Sequence, residues 1–261
     1  MEYTYISGAT GGIGKAFTKE CAKKGYNLFL TARSQQKLEL LKSEIEKEYK
    51  VDILTFACDL TDENQRQDMV EYAVQKGIEF NRIINVAGVD TQKAFMDYTL
   101  EKVLFQMRVN VESTISLTHL LLLHRAQETQ VITISSMSGA SPMPYFALYS
   151  ATKCMLTNFF TSLHYELKKS GVKVTTVLPG GVPTRQDIIE DIKNQGLWGK
   201  LSAKSPEFVA KKSLRAVEKN KLTYIPGGFN KFLNFIMKLA PKKIVLKFIA
   251  NRWKKQTKDA F

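Results

Sequence analysis

Short apolar runs that read as strands alternate with helical patterns along most of the chain, and this alternation constrains the fold more than any other feature. The strands are residues 3–7, 26–31, 51–57, 82–86, 130–135 and 173–178. Between them lie helical segments from the Gly-rich turn to about residue 24, over 62–75, through a long apolar stretch at 100–126, and over 149–168. A further helix starts from Ser34 as N-cap, with Leu38, Leu41, Ile45 and Tyr49 on one face. Strands separated by helices of this length imply right-handed βαβ units. The expected fold is α/β, a doubly wound parallel sheet of six or seven strands in one domain over residues 1–228. Residues 229–261 remain as a C-terminal extension.

Composition narrows the class. The chain has 261 residues, 44% hydrophobic and 24% charged, which is enough to bury a large core and excludes wholesale disorder. No apolar run approaches the ~18–20 residues of a membrane-spanning helix. The opening residues carry no basic segment followed by an apolar one, so the expected location is the cytoplasm. Cys21, Cys58 and Cys154 are odd in number and lack CxxC spacing, so neither a disulfide framework nor a zinc site is expected. His119, His124 and His164 have no acid or cysteine at ligand spacing, and no metal is expected. The net charge of +13 is concentrated: residues 231–261 hold nine Lys or Arg against Asp259, a local +8, which leaves +5 for the first 230. The excess belongs to the tail and does not make the body a nucleic-acid binder.

The first strand ends in Gly8-Ala9-Thr10-Gly11-Gly12-Ile13-Gly14 and a helix follows. Glycines there let the backbone turn tightly and approach a pyrophosphate, which the helix N-terminus then faces. Three residues separate the first two glycines of Gly8-x-x-x-Gly12-x-Gly14, a departure from the dinucleotide fingerprint, and a Gly-rich turn without a ligand is the bland alternative. The second strand ends Thr31-Ala32-Arg33-Ser34, with no carboxylate to hold a ribose 2′-hydroxyl. Arg33 offers a charged fork suited to a phosphate, Ser34 a hydroxyl and Lys15 nearby charge, so NADP(H) is expected over NAD(H).

Tyr149 and Lys153 fall one turn apart on a helical pattern. A phenol is a poor acid–base at neutral pH unless a cation stabilises its phenolate, and Lys153 is placed to do so. Most such pairs on helices are packing contacts, so the pair gains weight only from its companions. These are the glycine loop, Asp59-Leu60 after the third strand, Asn85-Val86-Ala87-Gly88 after the fourth and Asn110 in the next helix. Ser135-Ser136 follows, 13 residues before Tyr149, and then Pro179-Gly180 with Thr184.

In this order and spacing the chain resembles the short-chain dehydrogenase/reductase family, specifically its single-domain branch, from about residue 3 to 184 and more loosely to 226. The resemblance implies a Rossmann fold and an oxidoreductase. Tyr149 would be the general acid for a carbonyl oxygen, or the base in reverse. Lys153 would lower its pKa and bind nicotinamide ribose hydroxyls, Ser136 would hydrogen-bond the carbonyl, and Asn110 would hold a water leading to Lys153. Ser136 is preferred to Ser135 because neighbouring strand side chains face opposite ways. Gly8, Thr10, Gly12, Ile13 and Gly14 would hold the cofactor, with Asp59 and Leu60 at its adenine. Asn85, Ala87 and Gly88 would line it, and Pro179, Gly180, Val182 and Thr184 would embrace the nicotinamide end. Ser7 and Val86 stand where the family often has threonine and asparagine.

Three segments reach the carboxyl edge of such a sheet: 89–98, 137–146 and 183–204, the last being the substrate loop. Met137, Met143, Tyr145, Phe146, Ile188, Ile189, Leu197 and Trp198 make the walls apolar, which favours a steroid-like, acyl or aromatic ketone or alcohol. Asp187, Glu190 and Asp191 read as the polar face of a short helix, and Cys154 as structural. In the tail, Phe229, Phe232, Leu233, Ile236 and Ala240, then Ile244, Val245, Phe248, Ile249 and Trp253, fall at helical spacing on either side of Pro241. Lys238, Lys242, Lys243, Lys247, Asn251, Lys254 and Lys255 mark the polar sides. Two amphipathic helices result, expected first to dock on the fold or on another subunit of a homo-oligomer, and second to lie peripherally on a membrane. The expected activity is NADP(H)-dependent carbonyl reduction or alcohol oxidation. 3-Oxoacyl-thioester reduction and a non-catalytic dinucleotide-binding regulator are the alternatives.

Overall fold

The structure, a computed structural model, describes residues 1–254. Seven parallel strands form one sheet: β1 (Glu2–Ser7), β2 (Leu28–Ala32), β3 (Ile53–Ala57), β4 (Glu79–Asn85), β5 (Arg125–Ile134), β6 (Val172–Val177) and β7 (Thr223–Tyr224). Their order is β3-β2-β1-β4-β5-β6-β7. The chain winds outward from β1 to β3, then crosses back to place β4 on the other side of β1. The reversal opens a crevice beyond the carboxyl ends of β1 and β4, where open parallel sheets bind ligands.

Helices cover both faces because alternate strand residues point to opposite sides. Ile6 packs under α1 (Gly12–Ala22), α2 (Gln35–Glu48) and α9 (Pro206–Glu218), in a core with Phe17, Leu30, Leu38 and Leu214. Its neighbour Tyr5 faces α3 (Glu63–Gln75), α5 (Ser113–Leu123) and α6 (Ala147–Glu166), with Phe29, Phe80, Met69, Leu117 and Phe160. Phe29 and Phe80 meet edge-on at 6.0 Å, and each such fully buried ring contributes about 1.5–3 kcal/mol. Caps start the helices as the composition predicts. Ser34 accepts the Lys37 N–H at 3.3 Å, Asp62 accepts those of Asn64 and Gln65, and Ser205 precedes Pro206 at the first turn of α9.

The stretch expected as one helix over 100–126 divides. α4 (Leu100–Met107) passes through a π-helical turn, Arg108–Glu112, into α5, which ends before His124. β5 then begins at Arg125 rather than at 130, with Arg125 opposite Phe80 and a bulge before Gln130 pairs with Arg82. The residues Arg-Ala-Gln-Glu favour helix intrinsically, and pairing between β4 and β6 overrides that preference.

After β6 come α7 (Gln186–Asn194) and α8 (Gly196–Ser202). The tail forms α10 (Gly228–Leu239) and α11 (Lys242–Trp253), which flank Pro241. Both dock. The buried Asn230 amide donates to Ser202 O and Pro226 O at 2.8 Å each, and Phe229 meets Trp198 edge-on at 5.3 Å. Trp253 stacks on Phe146 at 5.9 Å. Lys255 lies outside the described residues, as does the end of the tail.

Candidate active site

The proposed catalytic side chains gather at the crevice. Tyr149 and Lys153 stand one turn apart on α6, with Lys153 Nζ 5.7 Å from the centre of the Tyr149 ring. The ammonium donates to Ile134 O at 2.9 Å, at the end of β5. Two residues on, the Ser136 hydroxyl acts on the Tyr149 phenol, drawing its pKa down, and accepts the Ser138 N–H at 3.1 Å. Ser135 points the other way, donating to Lys153 O at 2.8 Å and lying 2.7 Å from the Thr157 hydroxyl. Strand alternation thus gives Ser136 to the crevice and Ser135 to the α6 backbone.

Asn110 sits in the π-helical turn, a widened turn common at functional sites. Fully buried, its amide clamps residue 89 in both directions. Oδ1 accepts the Val89 N–H at 2.8 Å, while Nδ2 donates to Val89 O at 2.9 Å and to the Thr152 hydroxyl at 3.1 Å. Gly88 leaves the space between them open: a Cβ there would lie 3.3 Å from Lys153 Nζ and 3.4 Å from Asn110 Oδ1.

Desolvation dominates the electrostatics. Burial holds the Tyr149 phenol well above its ordinary value and the Asp90 carboxylate adds to this, while the Ser136 hydroxyl and Arg185 pull it down. Burial likewise pushes Lys153 down to about 8, against the opposing pull of Asp90. Desolvation is the largest influence on the Tyr149 phenol in this arrangement. The Lys153 ammonium is turned to Ile134 O.

The glycine loop forms a cradle of bare backbone. Gly8 has φ +62°, and a Cβ on Gly14 would lie 2.1 Å from Gly8 O. One on Gly12 would lie 2.7 Å from the Thr184 side chain, so Thr184 leans over the loop. α1 starts with no side-chain cap and no acid in its first turn, which leaves its N–H groups open to an anion. Thr10 and Ile13 are half-buried in this turn. Arg33 and Lys15 are exposed, whereas the Ser34 hydroxyl is engaged in capping α2. The residues present therefore fit a nicotinamide dinucleotide.

Other expected contacts divide between site and scaffold. Asp59 Oδ1 accepts from the Thr61 N–H and hydroxyl at 2.9 and 2.8 Å, and Leu60 is buried. The Asn85 amide donates to Thr118 and Thr133 at 2.9 and 3.2 Å, bracing β4 from within, so the lining of the crevice there falls to Ala87 and Gly88. Ser7 keeps the hydroxyl that this position needs, accepting the Val86 and Ala87 N–H groups at 3.0 and 3.2 Å. Pro179 O accepts the Met137 N–H at 2.9 Å, Val182 is buried, and Gly180 packs against Asn230 of α10.

Residues 2–192 match the family described as short chain dehydrogenase. The chain belongs to that family. It is 33% identical over 225 residues to the very-long-chain 3-oxoacyl-CoA reductase of Bos taurus, covering 83% of this chain and 68% of that protein. It is 31% identical over 258 residues to the human protein of the same name, covering 96% and 79%. The match to the Macaca fascicularis protein spans only 60% of its length. Among solved structures, one from work on 7beta-hydroxysteroid dehydrogenase stereoselectivity superposes with a TM-score of 0.87 at 25% identity, covering 95% of this chain and 96% of its own. L-Sorbose reductase from Gluconobacter frateurii, complexed with NADPH and L-sorbose, shares the fold at TM-score 0.76 and 23% identity, covering 87% and 95%.

Two charged residues of this short-chain dehydrogenase escaped the sequence reading. Arg185 Nη2 pairs with Asp90 Oδ1 at 3.1 Å, and the same guanidinium holds both Asp187 oxygens at 3.1 Å. The pair joins the loop after β4 to the loop after β6, and both charges act on Tyr149. Beside the first turn of α6 lies a cavity of about 260 Å³, walled by Ala94, Phe95, Tyr98, Tyr145, Leu148 and Ala250. Tyr145 holds φ +63° there, a costly conformation for a bulky residue and one concentrated at functional sites. Phe146 is buried and stacks on Tyr149 at 4.5 Å, whereas Leu197 faces outward.

Proposed function

We propose that this oxidoreductase passes hydride between NADP(H) and the carbonyl or alcohol carbon of an apolar substrate. The observation that carries the reading is the convergence of the half-buried Ser136 and Tyr149, whose hydroxyl groups influence each other, with buried Lys153 and Asn110 beside them. A carbonyl oxygen entering beside the two hydroxyls would accept from both. Ser136 would stabilise the charge that develops on it, and Tyr149 would donate the proton. The raised Tyr149 pKa keeps the phenol protonated at neutral pH, which suits the reducing direction.

A bound nicotinamide supplies or takes the hydride. Gly8, Gly12 and Gly14 with the α1 N-terminus would hold the pyrophosphate, Arg33 and Lys15 the 2′-phosphate, and Lys153 the nicotinamide ribose. Asn110 would position this edge by holding residue 89 in place. The apolar cavity beside α6 supports a steroid-like, acyl or aromatic ketone. The names of the bovine and human relatives favour a second reading, reduction of a 3-oxoacyl thioester.

Nicotinamide oxidation by the purified chain, with NADPH or NADH and a panel of oxosteroids, 3-oxoacyl thioesters and aromatic ketones, tests both. Turnover with NADPH should fall by at least about a hundredfold in Tyr149→Phe. Equal turnover in that variant would overturn the assignment, and the preferred ketone decides between the two substrate classes.

A further inference from the structure

The hairpin of α10 and α11 is docked by one face and bare on the other. Asn230, Ile249 and Trp253 turn to the body. On the outer side Phe232, Phe235, Ile236 and Leu239 recur at i, i+3, i+4 and i+7, and are 44% to 67% exposed. Ile244 and Phe248 of α11 extend the surface, at 63% and 54% exposed. Lys231, Lys238, Lys242, Lys243, Lys247 and Lys254 are exposed on the same hairpin. Between residues 228 and 254 there are seven Lys or Arg and no Asp or Glu.

We propose that this outer face is a docking surface for an anionic lipid bilayer. Large apolar side chains set among lysines, with no carboxylate in residues 228–254, match the boundary between acyl chains and anionic headgroups on both counts. No helix among the described residues is long and apolar enough to cross a membrane, so the contact is peripheral. A second copy of the chain fits poorly, because it would set seven cations against seven with no acid between them. Nucleic acid would satisfy the lysines and leave the Phe232–Leu239 stripe without an apolar partner.

The placement links this surface to the site. Ala250 of α11 walls the 260 Å³ cavity, and Trp253 rests on the ring that stacks against Tyr149. A bilayer under the hairpin would therefore lie next to this cavity, whichever ketone the cleft reduces.

The test pellets the full chain with vesicles of phosphatidylcholine alone, or of equal parts phosphatidylcholine and phosphatidylglycerol. Wild type should pellet with the second and stay in solution with the first, and high salt should release it. The outward-facing pair Phe235→Glu and Leu239→Glu should weaken binding at least about tenfold with an unchanged melting temperature. Lys242→Glu with Lys243→Glu should weaken it for the anionic vesicles. Wild type that ignores both vesicles, or variants that bind as it does, would overturn the proposal. So would a mass measurement showing that the glutamate pair splits a dimer in a chain that binds no vesicle, because a second copy would then cover the face.

Discussion

Lys153 carries its charge at a cost to the fold. A lysine that loses its proton near 8 in the folded chain, rather than near the ordinary 10.5, destabilises the protein by about 3 kcal/mol at neutral pH. The folded pKa lies below the unfolded one, so the penalty is full below pH 8, fades between 8 and 10.5 and is absent above. Lys153→Met should therefore raise the melting temperature at pH 7 while abolishing turnover, with a much smaller gain at pH 10. An equal gain at both would show that packing is responsible. Asp90 acts on the neighbouring phenol. Asp90→Asn removes a carboxylate that pushes Tyr149 up and leaves Arg185, which pulls it down. The alkaline limb of the pH–kcat profile for reduction should move to lower pH, and an unmoved limb would place Asp90 outside the circuit. Tyr149, Lys153, Ser136 and Asn110 were singled out in the sequence by their order and by the resemblance to a known family, and the fold brings them to one crevice. Asp90 and Arg185 lie in segments marked as reaching the sheet edge, but a pair 95 residues apart leaves no trace in local spacing.

Elements differ in how openly the sequence declares them. The strands and capped helices around β1 to β3 follow from apolar runs, Ser34 and Asp62, and their boundaries shift by only a residue or two. The π-helical turn at Arg108–Glu112 is silent, because one widened turn barely disturbs an apolar periodicity, yet it fixes where Asn110 points. The early start of β5 is silent for another reason: partner strands decided it, and partners are not local. The end of β2 makes a prediction at this scale. With Ser34 engaged in capping, Arg33 is the charged group left there for a phosphate. Arg33→Ala should weaken NADPH at least about tenfold and NADH little, measured by titrating both. Equal losses would move phosphate recognition elsewhere.

For the whole molecule, the sheet order sets the crevice and the tail closes over one side of it. The two-helix form of the tail was legible from Pro241 and the apolar spacing. The face that docks was not, since both faces carry large apolar residues and only Asn230 marks the inner one. The docking has an optical consequence. The chain has two tryptophans, Trp198 and Trp253. One meets Phe229 and lies 6.4 Å from Phe248, and the other stacks on Phe146 beside the catalytic phenol. Reduced nicotinamide absorbs where indole emits, so titration with NADPH should quench the emission by energy transfer, and Trp253→Phe should remove most of the response. Unchanged quenching in that variant would assign the signal to Trp198. The ultraviolet fluorescence of this protein is thus a gauge of its cleft, read without any added dye.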